Sequence, residues 1–337
     1  MNPADFRLDR ADEFPHPAGP EPHFNESTYA NAFDAVTGVG GWLRLGNRVN
    51  EGRAELSVCL YLPDGRIAVR FSRPRIENNL AFDAGGLRFD VVEPMRRLDA
   101  AYEGDVFIVT NPDDLRTPEK LFAEAPRLPC SLAWQLTTIS PQHGGEPVRD
   151  DVQTMYGRDF SLGHFNQHIA ATGHFTIGDE HFPINGHGWR DHSWGPRWWT
   201  NIIWYRLFLA AFPDGRGFMI HRIAGEDGRT RRSGVLLMDG QYHEITDFDA
   251  ITEWTDQQDP AAMRIIVRTE TGLTAEIRGE VLSLAPLRNR REEKGRELLS
   301  RIAEGHTRFT WDGVVGYGMT EYIERVAEDG SLAGYPL

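Results

Sequence analysis

A chain of 337 residues has room for two domains of ordinary size, and its 40% content of hydrophobic residues is sufficient for buried cores. Its 50 acidic residues outnumber its 36 basic residues, and the net charge of −14 argues against binding nucleic acid or anionic membranes through a broad basic surface. We therefore expect a soluble globular protein that does not bind nucleic acid.

The cysteines and the N-terminal residues indicate the compartment. Cys59 and Cys130 each lie in an apolar stretch without the spacing of a metal site, which is typical of buried thiols in a reducing environment. The first residues lack the basic and apolar segments of a signal peptide, and no apolar run has the length of a membrane span. We expect a cytoplasmic protein without an integral membrane segment.

Short strands separated by turns are predicted along most of the chain. Two pairs of segments rich in branched and aromatic residues are each joined by a Pro-Asp-Gly turn, which is the chemistry of a β-hairpin. The pairs are 54–62 with 66–71, and 202–212 with 217–223. The same spacing recurs in 234–245 and 263–282.

Two segments carry a helical pattern instead. One is 117–123. The other is 290–303, where Leu298, Leu299 and Ile302 make a narrow apolar stripe on a highly charged segment. Such a run of charges is typical of a solvated helix face rather than a binding patch.

The predicted fold class is all-β. Roughly a dozen or more short strands, mostly connected by hairpins, favour antiparallel sheets closed into barrels or sandwiches. One barrel is too small for this length, so the sequence predicts two tandem barrels of about 150 residues each, with a few short helices. We divide the chain into an N-terminal domain, 1–180, and a C-terminal domain, 181–337.

Five of the nine tryptophans lie within residues 185–204. The same stretch contains two histidines, an aspartate and two arginines. Large aromatic rings left in water would forfeit their hydrophobic stabilisation, so this segment must line something. The alternatives are a packed junction between structural units and a pocket for a large apolar molecule.

His192 is the candidate for proton transfer in this stretch, because the unperturbed pKa of histidine lies near neutrality. In an extended strand Arg190, His192 and Trp194 face one way, while Trp189 and Asp191 face the other. The alternative is an Arg–Asp–His network that only joins structural units. Covalent hydrolysis is not favoured, since the Gly-x-Ser-x-Gly motif of a nucleophilic serine is lacking.

The histidines do not predict a metal site. His164 and His168 lie in a strand-like segment, where their spacing separates them by about 13 Å. His187, His192 and His221 could converge in space, but no short-range ligand pair supports this. We predict a protein without metal and without a cofactor.

Three motifs carry a resemblance to a known superfamily. They are Gly-His-Gly-Trp-Arg-Asp-His-Ser-Trp-Gly-Pro-Arg at 186–197, Asn-Glu-Ser-x-Tyr at 25–29 and Gly-x-Gly-x-x-Glu-Tyr at 316–322. The chain resembles the superfamily of carotenoid hydratases, AttH-like proteins and fungal cyclase or Diels–Alderase proteins. The resemblance implies two tandem lipocalin-like β-barrels and a bulky apolar substrate, such as a polyene or terpenoid, handled without metal or redox cofactor.

The resemblance also implies site residues. The histidine and tryptophan of the hydratase motif match His192 and Trp194, whereas the family's Tyr-x-Asp falls on Met219-Ile220-His221. Either His221 has taken over the proton transfer, or the reaction differs, or the protein only binds a ligand. A histidine is a weak acid for protonating an isolated double bond and suits the isomerisation of a conjugated ketone or enol better, so a steroid-like or terpenoid ketone is as plausible a substrate as a polyene.

The leading hypothesis is a cofactor-independent lyase (hydratase), isomerase or cyclase for a terpenoid, polyene such as a carotenoid, or steroid-like molecule. The principal alternative is a non-catalytic lipophilic-ligand-binding protein, and a homo-oligomer is compatible with either. The predicted catalytic residues are His192, His221 and Asp191. The predicted substrate-binding residues are Trp189, Trp194, Trp198, Trp204, Tyr205 and Met219. Arg190, Arg197, Glu26 and Glu321 are assigned to a structural network of salt bridges.

Overall fold

Antiparallel strands make up both halves of the chain in the computed structural model, which describes residues 3–152, 154 and 156–337. The chain forms two compact units. The first comprises Met1–Ile108 and Ala125–Trp198, and the second comprises Val109–Glu124 and Trp199–Leu337. The predicted all-β class with two tandem lipocalin-like barrels is confirmed.

The first unit is built from twelve paired strands. They are β1 (Phe6–Arg7), β2 (Phe24–Phe33), β3 (Gly40–Arg48), β4 (Arg53–Tyr61), β5 (Ile67–Ser72), β6 (Phe82–Ala84), β7 (Leu87–Glu93), β8 (Arg97–Val109), β9 (Arg127–Thr138), β10 (His143–Pro147), β11 (Gly163–Ile177) and β12 (Glu180–Pro196).

Eight of these strands pair in a closed ring, which we call the first barrel. Its order is β2-β3-β4-β5-β8-β9-β11-β12, and β12 pairs again with β2. Side chains alternate between the two faces of each strand, so Ala30 and Ala32 point into the apolar core with Leu43, Leu45 and Ile169.

The second unit contains a closed eight-stranded barrel, the second barrel, in which each strand pairs with the next and the last returns to the first. The strands are β13 (Ile202–Ala211), β14 (Gly217–Gly225), β15 (Thr230–Met238), β16 (Gln241–Trp254), β17 (Pro260–Thr269), β18 (Thr274–Glu293), β19 (Arg296–Trp311) and β20 (Val314–Arg325). Phe208, Ile220, Ile265, Phe309 and Tyr322 belong to its core.

Helices are short. The α-helix α1 spans Pro118–Glu124, and 3₁₀ turns span Pro3–Asp5, Arg10–Glu13, Val49–Glu51, Pro112–Arg116 and Trp199–Asn201. Among the described residues, no helix is both long and apolar enough to cross a membrane.

Both predicted Pro-Asp-Gly hairpins are present, as β4–β5 and β13–β14, and the helix predicted at 117–123 is α1. The helix predicted at 290–303 is wrong: this segment is the hairpin between β18 and β19. Lys294 and Gly295 have φ angles of 53° and 69°, which suit the tight turn of a two-residue hairpin. Pairing of β19 with strands on both sides then overrides the weak helical stripe.

The division between the units differs from the predicted boundary at residue 180. Strand β12 begins at Glu180 and pairs with β11 and β2 of the first barrel, so the whole strand belongs to the first unit. The change of unit follows Trp198, after Pro196 has ended the strand. The segment Val109–Glu124, which contains α1, belongs to the second unit.

Candidate functional site

The motif at residues 186–197, which we call the central motif, forms the C-terminal half of β12. Its glycines permit β12 to pack closely against the neighbouring strand β2. A Cβ atom at Gly188 would lie 1.9 Å from the backbone oxygen of Asn31 on β2. Gly195 has a φ of 119°, a conformation that other residues rarely adopt. These constraints fix which way the side chains between the two glycines point.

Arg190, His192 and Trp194 lie on the inner face of the first barrel, as the alternation of the strand predicts. They stand opposite Ala30, Thr28 and Glu26 of β2, and Ala30 belongs to the barrel core. Trp189 and Asp191 point to the other face of β12.

Glu26 is the centre of a buried polar cluster at one end of the first barrel. Its Oε1 atom accepts hydrogen bonds from His192 Nε2 at 2.6 Å and His16 Nδ1 at 2.9 Å. Its Oε2 atom accepts from the backbone N–H of His16 at 3.0 Å. The second ring nitrogen of His16, Nε2, lies 3.2 Å from Asp12 Oδ1. We call His16, Glu26 and His192 the His–Glu–His cluster.

Burial alone would raise the pKa of Glu26, but the hydrogen bonds and positive charge of His16 and His192 lower it overall. Burial likewise opposes ionisation of His16, yet Glu26 and Asp12 together raise its pKa. Glu26 is therefore a carboxylate although its side chain is fully buried.

Arg190 does not pair with Glu26. Its guanidinium binds Glu13 at 2.5 and 2.8 Å and also donates to Gln167 Oε1. Arg190 stands opposite Ala30 on β2, which is four residues from Glu26 along that strand. The acidic group nearest to Arg190 is Glu13, which the 3₁₀ turn Arg10–Glu13 supplies. This buried network holds the segment that precedes β2, which we call the N-terminal segment, against β12 of the first barrel.

Asp191 does not contact the ring of His192, because successive side chains of a strand point to opposite faces. Its carboxylate lies 3.7 Å from Nε2 of His164 on β11. Trp189 is buried on the same face, edge-on to His168 with ring centroids 4.7 Å apart.

Arg197 stacks over the ring of Phe160 at 4.2 Å and donates to Ser193 Oγ at 2.7 Å. Burial lowers the pKa of Arg197 to about 9. Trp198 is half-buried, edge-on to His23 with ring centroids 4.3 Å apart. Within the first unit, Arg197 contacts Ser193 and Phe160 and does not pair with Glu26, and Glu321 belongs to the second unit. The salt-bridge network predicted from the sequence therefore takes a different form.

The second barrel carries ionisable groups on its outer face, opposite the core. In β19, Ala303 and Phe309 point into the core, so Glu304 and His306 point outward. Glu304 pairs directly with Glu321 of β20. Such cross-strand neighbours have Cβ atoms about 4.5–5.5 Å apart.

His221 lies in the same cross-strand row as this carboxyl pair. It stands opposite Leu207 of β13, and Leu207 stands opposite Glu321 on its other side. Ser233 of β15 is hydrogen-bonded to Nδ1 of His221 at 3.0 Å. We call Glu304, His306, Glu321 and His221 the acid–base face.

Glu304 and His306 have pKa values displaced in opposite directions from those of ordinary side chains. Burial, together with the negative charge of Glu321, raises the pKa of Glu304 well above its usual value. Burial lowers the pKa of His306 to about 4. Burial and the charge of Glu321 therefore favour the protonated form of Glu304, which can donate a proton, whereas His306 is neutral above about pH 4 and can accept one.

Apolar side chains adjoin the acid–base face. The next cross-strand row contains Met219, Leu209 and Met319 beside His306. Tyr205, two residues before Leu207, also points outward and is buried.

Trp204 lies on the opposite face of β13 from Tyr205. Its ring contacts the guanidinium groups of Arg206 and Arg222 at 5.4 and 5.1 Å. The structure thus brings Tyr205, Met219, His221 and Glu321 onto one face of the second barrel, but not Trp204. His192, Trp194, Arg190 and the other predicted site residues of the central motif belong to the first unit.

One family model matches nearly the whole sequence. It is described as Domain of unknown function (DUF7064), and it matches residues 9–326. The chain belongs to this family. No curated protein matches the sequence.

Solved structures share the fold of this DUF7064 protein along its length. A candidate AttH protein from Nitrosomonas europaea has a TM-score of 0.64 at 16% identity, covering 96% of this chain and 98% of its own. Kievitone hydratase from Nectria haematococca has a TM-score of 0.56 at 10% identity, with 96% and 94% covered. CghA with Sch210972 has a TM-score of 0.56 at 11% identity, with 90% and 89% covered.

These identities are low, so the solved structures establish the fold and not the activity of the DUF7064 chain. The tandem-barrel fold that the resemblance to AttH-like proteins implied is confirmed.

Sequence reasoning missed Glu304 and His306, which directly follow the wrongly predicted helix. Their alternation with Ala303, Gly305 and Thr307 was the available signal for a strand with one ionisable face. It also missed His16, because the N-terminal segment carries no periodic pattern.

Proposed function

We propose that the protein is a cofactor-independent hydratase, isomerase or cyclase that moves protons on a bulky apolar substrate at the acid–base face of the second barrel. Glu304 is the general acid and His306 is the general base. The observation that carries this proposal is their placement, two residues apart on one face of β19, with pKa values shifted in opposite directions.

Two residues along a strand correspond to about 6.6–6.8 Å. This spacing lets an acid and a base address two atoms of one substrate group, such as the ends of a conjugated double bond. Glu321 contributes by keeping the proton on Glu304, since two adjacent carboxyl groups in a buried site resist double ionisation.

In a hydration, the carboxyl O–H of Glu304 donates its proton to the carbonyl oxygen or to the alkene carbon of the substrate. His306 removes a proton from water as the water oxygen bonds to the electron-poor carbon. The turnover leaves Glu304 ionised and His306 protonated. Transfer of one proton from His306 to Glu304 through solvent restores both groups, and dehydration is the reverse.

The surroundings favour an apolar substrate. Leu207, Leu209, Met219 and Met319 adjoin the acid–base pair, and methionine side chains adapt to irregular apolar shapes. We propose a terpenoid, polyene or steroid-like molecule. A conjugated carbonyl in that molecule would accept the Glu304 proton more readily than an isolated double bond would.

The residues predicted from the sequence take different roles in this proposal. His221 lies in the row of Glu304 and Glu321, two strands or about 9–10 Å from Glu321, and would contact a more distant part of the substrate. His192 is engaged by Glu26 in the first barrel, and Asp191 lies on the other face of its strand. We assign both of them structural roles.

The structural relatives support the reaction class by analogy. Kievitone hydratase is named for a hydration, and the chain covers nearly all of that protein. The CghA structure holds Sch210972, so the same fold accommodates an organic molecule there.

The test begins with identifying organic molecules that copurify with the protein, by extraction and mass spectrometry. Turnover of an identified molecule or its structural analogues is then measured in deuterated water, where proton transfer labels the product. We expect Glu304→Gln and His306→Gln each to lower turnover by about 10²-fold or more, with much smaller changes in ligand affinity.

Glu280→Gln is the matched control. Because Glu280 is an exposed carboxylate of β18, its replacement should leave turnover unchanged. Full turnover by Glu304→Gln would refute the assignment of the acid. Tight ligand binding by the wild-type protein without any deuterium incorporation would instead favour the lipophilic-ligand-binding protein.

A further inference from the structure

The His–Glu–His cluster of the first barrel has the donor set of a metal site, independently of the proposed function. Nδ1 of His16, Nε2 of His192 and a carboxylate oxygen of Glu26 all lie within 4.8 Å of one another. Two imidazole nitrogens and one carboxylate oxygen are a set that Zn²⁺ and related divalent transition metals bind. We propose that the cluster binds one such ion.

Neighbouring groups already orient the three donors. Asp12 contacts the far nitrogen of His16 at 3.2 Å, an arrangement that commonly fixes the ring of a metal-bound histidine. The Oε2 atom of Glu26 is occupied by the backbone N–H of His16 at 3.0 Å and by Nδ2 of Asn79 at 3.4 Å. The Oε1 atom is thereby directed towards both imidazole rings.

Aromatic rings enclose the cluster. The ring of Trp194 stacks on His16 with centroids 4.0 Å apart, and Phe82 and Phe165 pack against His192 at 5.2 and 5.5 Å. These contacts hold the imidazole planes and exclude water, which strengthens the attraction between a cation and the Glu26 carboxylate.

Only a small movement is needed to admit an ion. Donors bound at about 2.0–2.1 Å to a tetrahedral ion lie roughly 3.3 Å apart, whereas the hydrogen bonds of the cluster measure 2.6 and 2.9 Å. The ion would take the place of the hydrogen atoms that now link the donors. The side chain of His16 lies outside any strand or helix and is 20% exposed, which gives an ion a route to the cluster from solvent.

This inference overturns the reason for predicting a protein without metal. The ligands come from positions 16, 26 and 192, so no short-range pair marks them in the sequence. The strand pairing of β2 with β12 and the return of the N-terminal segment bring them together.

The experiment uses the full chain, treated with a chelator, dialysed and titrated with ZnCl₂. Calorimetry should give about one ion per chain, and the melting temperature should rise with zinc because the folded state alone holds the site. His16→Gln should lose both responses. The matched control is His181→Gln. It removes one imidazole of the exposed pair His174 and His181, whose ring centroids lie 5.0 Å apart.

Cobalt(II) supplies a second measurement that does not depend on a variant's folding. Wild-type protein with one equivalent of Co²⁺ should show the intense visible absorption of a four-coordinate ion, from three protein ligands and one water. A spectrum like that of the hydrated ion would overturn the proposal. So would unchanged zinc binding by His16→Gln, or its loss in His181→Gln.

Discussion

Glu26 on the inner face of the first barrel and Glu304 on the outer face of the second are both buried, and the two carboxyl groups differ in what surrounds them. Glu26 accepts hydrogen bonds from His16, His192 and Asn79, and those from His16 and His192 lower its pKa. Glu304 faces another carboxyl group, Glu321, and its pKa is raised. Burial penalises the charge in both places, so the neighbours decide which group ionises.

This contrast separates two uses of a buried acid. An ionised carboxylate that accepts several hydrogen bonds holds structural elements together, as Glu26 holds the N-terminal segment against β12. A buried carboxyl group whose surroundings favour its protonated form is available as an acid.

The largest expected effect comes from replacing each acid by its isosteric amide. Glu26→Gln removes the charge that His16 and His192 face, so we expect a loss of about 3 kcal/mol in the free energy of unfolding. Glu304→Gln places a neutral group where burial and Glu321 already favour the neutral carboxyl form, and should cost less than about 1 kcal/mol. Urea denaturation at neutral pH, with chelator present, measures both.

Glu180→Gln provides the control for a carboxylate in an exposed ion pair, here with Arg66 at 2.8 Å, and should cost at most about 1 kcal/mol. Equal losses for Glu26→Gln and Glu304→Gln would show that the two sites do not differ in protonation.

The next effect concerns acid stability. The pKa of His306 is about 4 in the folded protein against an ordinary value of 6.5, so its contribution to stability is present above pH 6.5 and is lost as the pH falls towards 4. The shift corresponds to about 3 kcal/mol. His306→Gln should remove this part of the acid dependence, as followed by denaturation at a series of pH values.

The exposed His181 is the control for that series, because His181→Gln should leave the acid dependence unchanged. If His306→Gln follows the wild-type curve throughout, the imidazole of His306 is not held neutral by its surroundings.

The smallest effect is on the alkaline side. The raised pKa of Glu304 means that its contribution to stability is present below the ordinary value of 4.5 and is lost as the pH rises through the raised value. Glu304→Gln lacks this titration, so its stability should fall less than that of wild type, by about 1 kcal/mol, as the pH rises above 4.5. Thermal melts over this range measure the difference.

Glu321→Gln sharpens the same comparison. It removes the charge beside Glu304, so the pKa of Glu304 should fall towards its ordinary value and the active form of the acid should disappear at a lower pH. An unchanged alkaline limb in the pH profile of turnover would contradict the coupling of the two carboxyl groups.

Local patterns were sufficient for the fold class. The Pro-Asp-Gly turns set two hairpins, because proline and glycine fix the turn conformation wherever they occur. The alternation around His192 also predicted which side chains of β12 share a face, since the two-residue period of a strand does not depend on its partners. The hairpin at Lys294 was misjudged because its flanking charges fit a helix face as well as a strand.

The sites depended on pairings that are distant in sequence. Glu304 acquires its raised pKa from burial and from Glu321 on the next strand. His16 reaches Glu26 and His192 only through the return of an irregular segment. The sequence by itself determined the two Pro-Asp-Gly hairpins and the faces of β12, because these follow from local backbone preferences. The tertiary structure alone decided which acids ionise, because protonation depends on burial and on the charges that strand register brings together.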